Sequence, residues 1–155
     1  MEDNYELVGL AQDLAGQSSA GALGTLDKQG YPHTSLVEIH WDGTNFWLLL
    51  SDLATHSRHL KGDGRASIMV HADQRSSEEG LLAGARGTFV GEARVVEEVP
   101  RGVREAYLKR HPRAVKYVDF GDFRFYRLVV ERARIIAGFG AMGWLKAEDL
   151  GANIG

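Results

Sequence analysis

Hydroxyls, two imidazoles and a guanidinium crowd into nine residues, Ser51-Asp52-Leu53-Ala54-Thr55-His56-Ser57-Arg58-His59. They follow Phe46-Trp47-Leu48-Leu49-Leu50, an apolar run that reads as a buried strand, so a strand stops where a Ser-capped helix begins. The first N–H groups of a helix lack intrahelical partners, and the dipole there favours an anion. Ser51 and Ser57 add hydroxyls, His56 an imidazole, and Arg58 a fork able to hold an oxyanion through two charge-assisted hydrogen bonds. With no anion bound, His56, Arg58 and His59 would oppose the dipole of their own helix. The pattern therefore predicts a site for a phosphate-bearing cofactor. A capped surface helix explains the same residues without a ligand, since a Ser N-cap alone is worth about 1 kcal/mol.

Other reactive groups give weaker patterns. His56 and His59, three apart on a helix, would make a metal site with His33 or His40. No His-Glu-x-x-His string is present and no carboxylate stands at ligand spacing, so no metal is expected. Arg86 opens a long strand and is either a polar contact to a cofactor or a strand-end cation for Glu92 or Glu97. Trp144 stands beyond the last expected strand among Gly138, Gly140 and Gly143, a candidate for lining a site. Those glycines spell G-x-G-x-x-G, but no strand–helix–strand unit surrounds them, so they are not a dinucleotide fingerprint. No Gly-x-Ser-x-Gly elbow supports a serine hydrolase. Asp119 and Asp122 flank Phe120-Gly121 and read as a structural turn rather than a catalytic pair.

The elements that must position these groups are short strands joined by tight turns. Leu7, Leu10, Ala11 and Leu14 make one apolar stripe on a helix over 5–17. Strands are expected over 21–26, 32–41, 46–50, 65–71 and 86–96, with Gly91 at a bulge or bend, and then over 123–130 and 132–136. In the second of these, Ser35, Val37, Ile39 and Trp41 share one face, and Thr34, Leu36, Glu38 and His40 the other. Phe46, Trp41 and Trp47 are read as core or dimer interface. Helical turns are expected from 99 to 111 and over 112–119, and a polar, Gly-rich mobile loop over 73–84. The fold class that follows is mainly β: a six- or seven-stranded antiparallel split β-barrel with flanking short helices, one domain over residues 1–155.

Composition narrows the function classes. The 155 residues suffice for one sizeable core, and 25% charged residues are ordinary for a soluble globular chain. A formal charge of −3 argues against a general nucleic-acid binder. No apolar run reaches about 18 residues, and the acidic start Met1-Glu2-Asp3-Asn4 is unlike a secretory signal, so neither a membrane span nor export is expected. With 0 cysteines there is no disulfide and no thiolate chemistry, which agrees with a cytoplasmic protein.

Three segments together resemble the pyridoxamine 5′-phosphate oxidase-like split-barrel flavoproteins. They are Gly21-Ala22-Leu23-Gly24-Thr25-Leu26-Asp27 with Gly30 and Pro32-His33, Leu48 to Leu60 with its His56-Ser57-Arg58, and Arg65-Ala66-Ser67. Tyr117 to Leu128 and the Gly138-Phe139-Gly140 turn followed by Trp144 are similar to the haem-utilisation branch of that superfamily. The resemblance covers nearly the whole chain and implies a homodimer that binds FMN in the groove between two barrels. It implies that Leu50, Ser51, His56, Ser57 and Arg58 surround the phosphate, and that Thr34, Ser35, Leu36 and Val37 offer backbone groups to the flavin ring. Arg86 would contact FMN, and Phe139 and Trp144 would approach the flavin or substrate.

The oxidase proper has an Arg-Lys pair where this chain has Thr55-His56, so pyridoxine phosphate oxidation is not expected. Haem-utilisation relatives often carry a basic residue after Gly-Phe-Gly and often continue into a second domain, whereas this chain has Ala141 and stops at Gly155, which favours flavin over haem. The sequence thus predicts an FMN-dependent oxidoreductase acting on a small-molecule substrate or electron donor, with no membrane or nucleic-acid partner. Haem or a deazaflavin in place of FMN, and a flavin carrier without turnover, are the alternatives.

Overall fold

In a computed structural model, residues 2–72, 84–138 and 140–151 are described. Helix α1 (Glu2–Gln17) leads into β1 (Ala20–Leu26), β2 (Pro32–Glu38), β3 (His40–Trp41) and β4 (Phe46–Ser51). Helix α2 (Thr55–Gly62) precedes β5 (Arg65–His71) and β6 (Arg86–Val95). Helix α3 (Arg101–Arg110), a 3-10 turn (Pro112–Lys116), β7 (Phe123–Ile136), β8 (Met142–Lys146) and α4 (Ala147–Gly151) complete the chain. The expected mobile loop over 73–84 falls, except for Gly84, outside the described residues, as does Phe139.

Every strand pairing is antiparallel, and the order across the sheet is β2-β1-β5-β6-β7-β4-β3, with β8 added to β7. The sheet curls into a half-barrel with short helices around it, the expected mainly β class. Its curl is fixed by one stretch of chain. Residues 32–41 alternate as a single strand would, but pairing changes at Ile39: β2 lies on β1 at one border of the sheet, and β3 lies on β4 at the other. Ile39 itself donates its N–H to the Ser19 carbonyl at 3.0 Å. Two tight turns flank this stretch, and each is held by an aspartate. Asp27 accepts from the N–H groups of Gln29 and Tyr31, both at 2.9 Å. Asp42 accepts from Thr44 and Asn45, both at 2.8 Å.

The run Phe46 to Leu50 is apolar throughout because β4 is covered on both faces. Phe46, Leu48 and Leu50 enter the barrel core with Leu23, Ile68, Phe89 and Leu128, which α1 caps through Leu7, Ala11 and Leu14. Trp47 and Leu49 enter a second cluster with Tyr107 of α3, Ala114, Val118 and Phe125. Each such side chain removed from water is worth about 1.5–3 kcal/mol, so the outer cluster fixes the α3 segment firmly against β4. The indole N–H of Trp47 is paired too, donating to Asp42 Oδ2 at 2.7 Å.

The two late strands expected over 123–130 and 132–136 are one strand. β7 runs unbroken for 14 residues, and Glu131 is the extra residue of a bulge, since Val90 faces Arg132 while Gly91 faces Val130. Gly91 is required there: a Cβ would stand 1.8 Å from the Val129 carbonyl oxygen. The glycine-rich closing segment contains a further strand, β8, which pairs with the far half of β7.

Candidate functional site

The helix start differs from the expected one. Ser51 is not the cap; α2 begins after Ala54, which offers no side-chain cap, and Ser51 instead closes a short turn by accepting the Leu53 N–H at 3.2 Å. The Ser51 hydroxyl donates to Asp122 Oδ2 at 3.0 Å. Next to it, Asp52 holds the Arg124 Nε at 3.1 Å and lies 3.8 Å from Lys61 Nζ. The hydroxyl expected to face a phosphate is therefore spent on a carboxylate, that of Asp122.

The imidazoles of α2 point back to the barrel. His59 Nδ1 lies 2.9 Å from Thr25 Oγ1, and its ring meets that of His33 edge-on at 5.2 Å. His56 Nδ1 lies 3.2 Å from Ser35 Oγ on β2. Burial lowers the His56 pKa from the usual 6.5, and the neighbouring His33 and His59 lower it further. At neutral pH the ring is uncharged. In the tautomer that donates from Nδ1 to Ser35, Nε2 carries a free lone pair.

His56 lines a cavity of about 260 Å³ between β2, β4 and the α3 segment. Val37 and Leu50 form part of its wall, with Leu49, Ala54, Tyr107 and Phe123; Ser51, Glu38 and Tyr117 stand at its polar edge. The Tyr107 phenol is pushed up by burial and by the Glu38 carboxylate, so it stays protonated. The arrangement is an apolar, aromatic slot with one neutral imidazole. Among the described residues, no three His, Asp or Glu side chains converge on a point where a bare metal ion could sit.

Of the residues singled out in the sequence, Ser35, Val37, Leu50, Ser51 and His56 are thus brought together. Ser57 is adjacent but wholly buried, its hydroxyl beside that of Tyr126, and neither oxygen finds a partner of ordinary geometry. Arg58 is exposed on α2. Thr34 and Leu36 present their side chains on the opposite face of β2, with Leu36 81% exposed. Arg86 and Trp144 lie elsewhere. Arg86 pairs in register with Ile136 and donates to the Gly84 carbonyl at 3.2 Å. Trp144 is register partner to Arg134 and meets the guanidinium groups of Arg132 and Arg134 at 5.6 and 5.9 Å. Ser51 faces Phe123, the first residue of β7, whereas Arg86 and Trp144 pair with Ile136 and Arg134 at the other end of that strand. Sequence reasoning missed Tyr107, Tyr117 and Phe123; their aromatic character was visible, but their place opposite β2 depends on the docking of α3.

Comparison with known proteins bears on the cofactor. A heme binding protein from Mycobacterium smegmatis has the same fold at TM-score 0.81 and 32% identity, over 97% of this chain and 59% of that one. The non-canonical heme oxygenase HOZ, chloroplastic, of Arabidopsis thaliana is 34% identical over 125 residues, 78% of this chain and 37% of the plant protein. Heme oxygenase HutZ of Vibrio cholerae is 28% identical over 132 residues, 83% of this chain and 74% of that one. This chain therefore spans little more than a third of the plant protein and under two thirds of the mycobacterial chain. Barrels of the pyridoxinephosphate oxidase family share the fold alone. The expectation of FMN is corrected accordingly: the relatives named here are haem proteins, and Asp122 and Asp52 occupy the surroundings of Ser51. The likeness to the haem-utilisation branch and to the split barrel holds. The match to the family described as CREG, beta-barrel runs from residue 2 to residue 150, through every strand of the sheet, and the chain belongs to that family.

Proposed function

We propose that this protein binds haem, which the slot between β2 and β4 would hold, with His56 Nε2 as the nitrogen that would bind its iron. The observation that carries this is His56 itself: neutral, tied through Nδ1 to Ser35, and set in an apolar wall. Haem ligands of this kind are imidazoles whose second nitrogen is held by a hydrogen bond, which fixes both tautomer and ring plane. The donor set suits haem because the porphyrin supplies its own four nitrogens, leaving one imidazole for the protein to provide. Bound haem would supply an iron centre for dioxygen and electron chemistry.

The remaining residues would exclude water and orient the ring: Val37, Leu49, Leu50 and Phe123 from the strands, Tyr107 from α3. A second copy would supply the other wall, and Leu36, apolar and 81% exposed on the outer face of β2, is the surface on which it would pack. Haem degradation is a second reading, favoured by the name heme oxygenase carried by the plant and Vibrio relatives.

The test is an absorbance titration of the purified chain with haemin, alongside His56→Ala and a measurement of mass in solution. A Soret band that sharpens and shifts on binding, that is weakened at least tenfold in affinity and moved in His56→Ala, and a dimeric mass are the expected results. A haemin spectrum untouched by the wild-type chain refutes the reading. Adding a reductant in air to the loaded protein then separates carrier from enzyme by loss of the Soret band and release of an open-chain tetrapyrrole.

A further inference from the structure

The groove does not end at the aromatic slot. Val37 and Glu38 also line a second cavity, of about 600 Å³, whose far wall carries Arg110, His111 and Arg113 at the junction of α3 and the 3-10 turn. Glu38 thus stands between the two compartments. Its Oε2 is 3.1 Å from Nδ1 of the buried His111, whose Nε2 lies 2.7 Å from the Ile39 carbonyl oxygen. The Glu38 carboxylate is thus met locally by the His111 ring and does not draw on the arginines.

Those arginines have no carboxylate of their own. Arg110 donates to the neutral carbonyl of Gln17. Arg113, exposed, makes neither ion pair nor hydrogen bond among the described residues. Two guanidinium groups therefore line one cavity and an imidazole with a free nitrogen lines the other, and the two cavities share Val37 and Glu38 as lining. With Glu38 met by His111, an occupant that spans both cavities would present a metal to His56 and carboxylates to the two arginines.

We infer that Arg110 and Arg113 are the specificity-determining residues for the carboxylate edge of a metallated tetrapyrrole, each guanidinium taking one carboxylate by paired N–H···O bonds. This deepens the haem reading and rests on it. It makes the second cavity part of the same site and assigns discrimination to a segment that contributes no metal ligand.

Haemin and its dimethyl ester, which lacks both negative charges, separate the two claims. The full chain, the double variant Arg110→Ala/Arg113→Ala and the single variant Arg113→Gln are titrated with each compound, following the Soret band, with circular dichroism as a check on folding. The wild type is expected to prefer haemin at least tenfold. The double variant should bind both compounds alike, near the wild-type affinity for the ester and with the Soret position kept. Arg113→Gln, at an exposed position without partners, keeps the fold and should lose part of the preference even where the double variant does not fold. Equal binding of haemin and ester by the wild type, or an undiminished preference in Arg113→Gln and the double variant, overturns the assignment while leaving haem binding intact. A wild-type chain that binds neither compound overturns both.

Discussion

Ser35→Ala isolates the positioning of His56 from its coordination. The substitution removes the oxygen that faces His56 Nδ1 at 3.2 Å and leaves the imidazole itself in place. A hydrogen bond of that length lies at the long end of the N–H···O range, so the smaller part of the usual effect applies. Loss of the group that orients a metal-binding histidine generally costs 10–100-fold in affinity; the expectation here is about tenfold, or roughly 1.4 kcal/mol. A haemin titration read at the Soret band measures it. Ser35→Thr, which keeps the hydroxyl on a strand that welcomes β-branching, should recover most of the loss. An affinity for haemin within twofold of wild type in Ser35→Ala, at the same time as His56→Ala loses the shifted band, would show that Ser35 does not hold the ring. The orientation of His56 would then have to come from the packing of α2 alone.

Other consequences concern the scaffold. Asp42→Ala leaves the Trp47 indole N–H buried without its acceptor and undoes the turn at Thr44 and Asn45; a loss of about 1–3 kcal/mol is expected in urea unfolding. Gly91→Ala forces a methyl group against the Val129 carbonyl and should cost about 3 kcal/mol or more, seen as a lowered urea midpoint or as insoluble protein. Tyr126→Phe deletes a buried hydroxyl that has no partner of ordinary geometry, so stability should hold within about 1 kcal/mol or rise; a drop beyond 2 kcal/mol would reveal a hydrogen bond to Ser57. For pH, the folded-state pKa of His40 lies below 6.5, through burial first and then His111 and Arg110, with Asp42 acting the other way. The unfolded chain therefore takes up this proton first as pH falls below 6.5, and stability declines until the folded His40 is also protonated. His40→Gln should flatten that part of the curve of Tm against pH, and an identical slope in the variant would count against the shift.

Much of the scaffold was legible because alternation along a strand survives any change of partner. The faces of residues 32–41 follow from side-chain order alone, and they hold: Val37, Ile39 and Trp41 are buried while Thr34, Leu36 and Glu38 are outward. The break at Ile39 left no mark, since what changes there is which strand is paired and not which way a side chain points. Glu131 looked like the end of a strand because a charge interrupts the apolar alternation; a bulge absorbs it, and only the register with β6 distinguishes the two. β8 was hidden by Gly138 and Gly140, which adopt positive φ of 119° and 96° in the turn before it. Ser51 and His56 were singled out from local sequence, at the junction of β4 and α2. The bond from Ser51 to Asp122 was not legible there because Asp122 lies 71 residues away. The aromatic wall was out of reach for the same reason.

The change of partner at Ile39 has a mechanical meaning. Residues 32–41 belong to both borders of the sheet, yet no ladder of hydrogen bonds joins β2 to β4. What holds the borders near each other is the covalent backbone at Ile39, steadied by its bonds to Ser19 and His111. Everywhere else, spreading two strands means breaking a row of N–H···O bonds; along this seam it means only bending a chain about a fixed stitch. The slot lined by Val37, Leu50 and His56 opens along that seam. A molecule entering along that seam would part side chains of the core but no row of strand hydrogen bonds.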